Sequence, residues 1–161
     1  MFDIGSTVTH PIHGLGVVRS IGEKEIMGQK NTYAEIFFPE AKLTISVRAD
    51  GEGSIIRPLI KIGDIPSVEE CLRAPAQTLP SKSSERYNLN LRKIKGNDIM
   101  GLAEIVRDLT HLSLTHKLSP KEQAMLKQTR RAIAVEMAHI TEQDIDELDA
   151  RLDELCRPQG E

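Results

Sequence analysis

Four groups of side chains stand at spacings that could do chemistry. His10 and His13 lie three apart and suggest a metal pair. Pro11 breaks the chain between them, and no third Cys, His or acid stands nearby to complete a tetrahedral set, so turn packing is the better account. Gly14-x-Gly16 has the glycine spacing of a phosphate loop. It stands between two strand-like segments and opens no helix, which leaves a sharp β-turn. Glu104 and Asp108 fall four apart on a helix-patterned segment with Arg107 between them. Such charges commonly pair along or between helices, and Arg107, inside an apolar stripe, suits a bidentate pair locking two helices. The fourth group is basic: Arg86, Arg92, Lys93, Lys95, Lys127, Arg130 and Arg131. Lys93 and Lys95 adjoin the Gly96 turn and the start of the next helix, whose free N–H groups favour phosphate. The chemistry indicated is recognition of a polyanion. Catalysis has no constellation, and no cofactor or metal is expected.

The distribution of charge supports that reading better than its total of −3. Residues 1–63 are balanced at seven basic and seven acidic, and residues 64–80 carry a net −2. Residues 81–140 hold eleven basic against six acidic side chains, whereas residues 141–161 hold two against eight. A basic segment flanked by an acidic end can face phosphate. The two cysteines, Cys71 and Cys156, match no ligand spacing and read as ordinary thiols in a reducing compartment. No apolar run approaches the length of a spanning helix and no secretory pattern opens the chain, so a cytoplasmic protein, nucleoid-associated through its partners, is expected.

Turn signals divide residues 6–48 into short strands: a first around Val8 and His10, then 15–21, 24–27, 32–38 and 43–47. Five such strands predict a small, strongly bent sheet or barrel, with Asp50-Gly51 and Gly53 marking a loop. Ser67 can cap a short helix ending near Arg73. Residues 74–84 (APAQTLPSKSS) have linker composition and form the expected domain boundary. Beyond it the pattern is helical throughout: 85–94, a helix capped by Asn97 or Asp98, and another opened by the Ser119-Pro120-Lys121-Glu122 capping box and running to about His139. Thr141 starts a last helix with Ile145, Leu148, Leu152 and Leu155 spaced three, four and three. Two heptads are too short for a stable coiled-coil dimer, so packing within a monomer is expected. The fold class is α+β multidomain, a Tudor-like bent β-sheet or barrel followed by an all-α helical bundle. Its divisions are 1–63, a short helix and linker over 64–84, and a helical domain over 85–161 with an acidic last helix.

Two sets of residues carry a family resemblance. The first is Gly5, Val8, His10-Pro11, His13-Gly14, Gly16-Val17-Val18, Ile26, Gly28, Leu43-Thr44-Ile45 and Val47. The second is Arg86-Tyr87, Asn90, Lys93, Asp98, the run 103–109 (AEIVRDL), Leu118-Ser119, Glu122 and Met125-Leu126. In order and spacing these resemble the CarD/CdnL family of bacterial RNA polymerase-binding transcription regulators, over roughly residues 2–140. The resemblance implies a β-module that binds the RNA polymerase β subunit, here through Lys24, Leu43, Thr44, Ile45, Ser46 and Arg48. It also implies a helical domain that contacts promoter DNA at the upstream fork, here through Lys82, Ser83, Arg86, Lys93, Lys95, Lys127 and Arg130. No catalytic activity goes with the family; holding polymerase and DNA together tunes the lifetime of the melted promoter, and linking two weak contacts raises affinity through effective concentration.

The chain departs from that pattern where DNA contact is implied. Ser83 stands where typical members carry a Trp wedge, and a hydroxyl cannot hold an unstacked base step open. Gln123 and Ala124 replace two basic positions, Glu85 another, and Ser46 an arginine on the polymerase side. Fold and polymerase binding therefore transfer better than DNA wedging. Two functions follow as expectations: a regulator bridging polymerase and promoter DNA through largely phosphate contacts, or a protein-only polymerase adaptor whose helices hold another protein.

Overall fold

A computed structural model describes residues 2–49 and 55–158; the expected Asp50–Gly53 loop lies outside the described residues. The chain divides into two compact units, residues 1–59 and 60–161.

The first unit is a five-stranded antiparallel sheet of order β4-β3-β2-β1-β5, built from β1 (Thr7–His10), β2 (Gly14–Ile26), β3 (Gln29–Phe38), β4 (Leu43–Arg48) and β5 (Arg57–Pro58). Two of the expected strands, 15–21 and 24–27, are one continuous strand, and the fifth strand is Arg57–Pro58. Their apparent break at Gly22 is no turn, because β2 pairs with β3 without interruption from Ser20↔Glu35 to Ile26↔Gln29. The hairpin reverses through Met27 and Gly28, both at positive φ (52° and 79°) as a two-residue turn of the mirror-image type requires. Bending comes from a register shift between Val18 and Ser20. The core is Val8, Val18, Ala34, Ile36, Phe38 and Ile56, with Ile45 and Val47 packed against it. Gly16 admits this packing: a Cβ there would stand 2.6 Å from Ile36 and 2.7 Å from Phe38.

His10 and His13 form part of that packing rather than a metal pair. Their ring centroids are 4.5 Å apart and each lies within 6 Å of the Phe38 ring. His10 Nδ1 accepts hydrogen bonds from the backbone N–H of Ile12 (3.0 Å) and His13 (3.2 Å), closing the turn around Pro11. Burial, then the neighbouring His13, lowers the His10 pKa and favours the neutral ring that this acceptor role needs.

The second unit holds α1 (Ile65–Arg73), α2 (Ser83–Gly96), α3 (Ile99–Ser113), α4 (Pro120–Thr141) and α5 (Ile145–Cys156). Local chemistry sets their ends. Asp98 caps α3 by accepting from Met100 N, with Asn97 left-handed before it (φ 51°). The Ser119/Glu122 capping box forms as expected. α5 begins later than Thr141 because Thr141 completes α4, and Asp144 is the cap of α5. α3 is the central helix, with Leu102, Ala103, Ile105, Val106 and Leu109 all buried.

The boundary and the linker differ from the sequence reading. α1 belongs to the helical unit: Val68 and Leu72 are fully buried in its core. Residues 74–82 are a strap on that unit, and Ser83 and Ser84 open α2. Leu79 packs on the core, Gln77 N donates to Asp108 Oδ1 (3.0 Å), and Arg86 Nη1 donates to the carbonyls of Pro80 (3.2 Å) and Ser81 (2.7 Å). Composition suggests a linker because few apolar side chains are present. The strap is held instead through its backbone, which composition does not report.

Candidate functional site

The residues expected to meet a protein partner fall together on the β-unit. β4 is an edge strand, paired to β3 by Glu35↔Ser46, Phe37↔Thr44 and Tyr33↔Arg48. Its side chains alternate: Thr44, Ser46 and Arg48 are exposed, while Leu43, Ile45 and Val47 are half-buried. Lys24 reaches across from β2, donating to Glu35 Oε1 (3.3 Å) and Ser46 Oγ (3.2 Å), and Ser20 Oγ donates to Glu35 Oε2 (3.2 Å). Arg19 stacks 4.9 Å from the Phe37 ring centroid. The sheet thus carries a polar face on which Lys24, Thr44, Ser46 and Arg48 are presented, beside an edge able to accept another strand. Ile45 differs from the exposed members of the expected set. Its half-buried side chain packs against the core.

The expected nucleic-acid residues separate into two classes. Arg86 is buried, 7% exposed, and makes a bidentate pair with the fully buried Glu122: Nε to Oε2 at 2.8 Å and Nη2 to Oε1 at 2.9 Å. Glu122 Oε1 also accepts from Ser119 N at 3.2 Å, so one carboxylate closes the capping box and clamps α2 to α4. Burial alone would raise the Glu122 pKa, yet the Arg86 and Ser119 bonds outweigh it and hold the carboxyl below its ordinary value. Arg86 is therefore scaffold and is withdrawn from any surface. Lys93 is half-buried and paired with Glu104 at 2.9 Å. Arg130 pairs with Asp149 (2.8 Å) and Asp153 (3.4 Å), and Arg131 with Asp146 (2.6 Å).

The remaining cations are exposed. Lys82 is the N-cap of α2, Ser83 its first residue, and Lys95 lies in its last turn. Lys127 and the unanticipated Lys117 border a shallow groove of about 440 Å³, together with Ser113, His116, Leu118, Gln123, Leu126 and Arg130. The ammonium groups of Lys117 and Lys127 make no hydrogen bond or ion pair among the described residues. Lys121 lies 5.5 Å from the Tyr87 ring centroid. Lys117 sits in the irregular segment between α3 and α4, where no periodicity singles it out; only the fold brings it to Lys127.

Arg107 does not form the expected bidentate inter-helix pair. Its Nε donates to the adjacent Asp108 (2.9 Å), and its Nη1 points to the Cys71 carbonyl (3.5 Å), which ties α3 to α1. Cys71 is half-buried and Cys156 buried; both are free thiols, with Cys156 pushed up to about 12 first by burial and then by Asp153. Among the described residues no group of three or more His, Cys, Asp or Glu could hold a metal, and no helix is long and apolar enough to cross a membrane.

Comparison with known proteins agrees with this division. Residues 2–60 match the family described as CarD-like/TRCF RID domain, and residues 67–153 match CarD, C-terminal domain. The chain is 32% identical over 129 residues to the putative transcription factor YdeB of Bacillus subtilis (strain 168), an alignment covering 78% of this chain and 83% of that protein. A β-unit and a helical unit, each matched in its own half and both spanned by one relative, make this chain a member of the CarD/CdnL family of transcription regulators.

Proposed function

We propose that this chain is a non-enzymatic transcription regulator whose β-unit binds the RNA polymerase β subunit and whose helical unit contacts upstream promoter DNA, modulating open-complex stability. The observation that carries the reading is the β4 edge with Lys24 and Ser46 joined on its polar face. An edge strand, with no further strand beside it among the described residues, can add a partner strand through backbone bonds, while Lys24 and the exposed Thr44, Ser46 and Arg48 supply selectivity. Its test is capture of polymerase by the full chain carrying Lys24→Glu or Thr44→Pro. Each should weaken capture at least tenfold, about 1.4 kcal/mol, and unchanged capture by both variants refutes this surface.

A second reading is favoured by one observation: Arg86, Lys93, Arg130 and Arg131 are all held by carboxylates of the same unit. The helical unit would then serve a protein-only adaptor. Open-complex half-life on one promoter separates the two. Under the DNA reading, Lys117→Gln/Lys127→Gln shortens the half-life and Ser83→Trp, an aromatic added at an exposed helix start, lengthens it. A stacked base contributes about 1–3 kcal/mol when fully formed. Unaltered half-lives with polymerase still bound favour the adaptor.

A further inference from the structure

We propose that α5 is a built-in competitor for nucleic-acid phosphate: its carboxylates hold two arginines of α4 that would otherwise extend the Lys117–Lys127 groove. The inference rests on the DNA-contact half of the function proposed above. Arg130 borders that groove with Lys117 and Lys127, yet its guanidinium is turned onto Asp149 and Asp153 of α5. Arg131, the next residue, is held by Asp146. Within α5 the acidic residues are Asp146, Glu147, Asp149, Asp153 and Glu154, and three of these five are the partners of Arg130 and Arg131. The one basic residue of α5, Arg151, pairs with Glu69 of α1 instead. α5 therefore presents unbalanced negative charge to the basic helix.

These pairs are placed so that phosphate can contest them. The Arg130 and Asp149 side chains are 21% and 22% exposed, and those of Arg131 and Asp146 are 46% and 82% exposed. Water and salt reach both, so the pairs are weak enough to exchange for another anion. The helix does not depend on them for docking. Leu148, Leu152 and Cys156 bury its other face in the core, so its carboxylates can be neutralised while α5 stays in place. Arg157 also pairs with Asp153 and lies outside the competition.

The test is affinity for a short linear DNA duplex, followed by fluorescence anisotropy over a salt series, using the full chain. Asp146→Asn/Asp149→Asn/Asp153→Asn should bind about tenfold more tightly at low salt, with the slope of log K against log salt steeper by about two phosphates. The same three substitutions in an Arg130→Gln/Arg131→Gln background should give almost none of that gain. A gain of equal size in that background reflects general charge only and overturns the proposal, as does unchanged affinity in the folded triple variant. If the triple variant loses helical circular dichroism, Asp146→Asn alone decides. Its pair is too exposed to matter to stability, and it should steepen the slope by about one phosphate; an unchanged slope overturns the proposal. Wild-type binding that is lost in Lys117→Gln/Lys127→Gln upholds DNA contact whichever way the α5 variants behave. If neither wild type nor any variant binds duplex at low salt, DNA contact itself fails and the proposal with it.

Discussion

The Lys24 pair of the β-unit and the Arg86 pair of the helical unit use charge in opposite ways. On the β-unit the ion pair of Lys24 with Glu35 is an outer-face contact, 45% and 46% exposed, laid across strands that a separate apolar core holds together. In the helical unit, beside exposed pairs such as Arg131 with Asp146, two pairs lie inside: Arg86 with Glu122 at 9% and 0% exposed, and Arg107 with Asp108 at 7% and 0%. An exposed pair contributes about 0–1 kcal/mol and can be given up to a partner. A buried one cannot, because removing either member leaves an uncompensated charge in a low-dielectric interior. A basic residue's place in the sequence therefore says little about its availability. The sheet's lysine is held in an exposed pair, and the helical unit's most prominent arginine is committed to the fold.

The sharpest way to break this contrast is Arg86→Ala or Glu122→Ala. Each should destabilise the helical unit by about 3–5 kcal/mol, read as a lower denaturation midpoint of the helical signal, with the β-unit transition unmoved. Next is Gly16→Val, which forces side-chain atoms onto Ile36 and Phe38. It should cost the β-unit about 1–3 kcal/mol or more and leave the helical unit unchanged, the reverse pattern.

Acid separates the units more finely. The His10 pKa is lowered in the fold, so between its folded value and about 6.5 the unfolded chain binds more protons. The stability it contributes is complete above that window and declines as pH falls through it. Glu122 is also depressed, but from an ordinary value of 4.5, so its contribution persists until pH falls below that value and is lost through the lower folded pKa. Acid titration should thus weaken the β-unit first and the helical unit only below about pH 4.5, and His10→Asn, which can still accept in the turn, should remove the first phase. Simultaneous loss of both units would contradict the assignment. The smallest expected effect is Lys24→Ala, within about 0.5 kcal/mol on β-unit stability while polymerase capture drops. A large stability loss would make Lys24 a structural residue.

What could be read from the chain and what could not divide along sequence separation. Caps and short strands involve neighbours: the Ser119/Glu122 box, the Asp98 cap of α3 and the strand over 43–47 were legible because each depends on residues within a few positions. The same locality explains the errors. Gly22 looks like a strand break because glycine ends strands elsewhere, and residues 74–84 look like a linker because their polar anchors are backbone groups. Charge partners were not legible at all. Glu122 is 36 residues from Arg86, and Asp149 is 19 from Arg130; no periodicity joins them, and only the packing of α2 on α4 and of α4 on α5 brings them within bonding distance. The sequence by itself determined the family, the two-part organisation, the starts of α3 and α4 and the excess of basic residues over 81–140. The tertiary structure alone decided which of those charges face water. Propensity and capping act through bonds between near neighbours, whereas desolvation and ion pairing depend on what the folded chain places opposite each side chain.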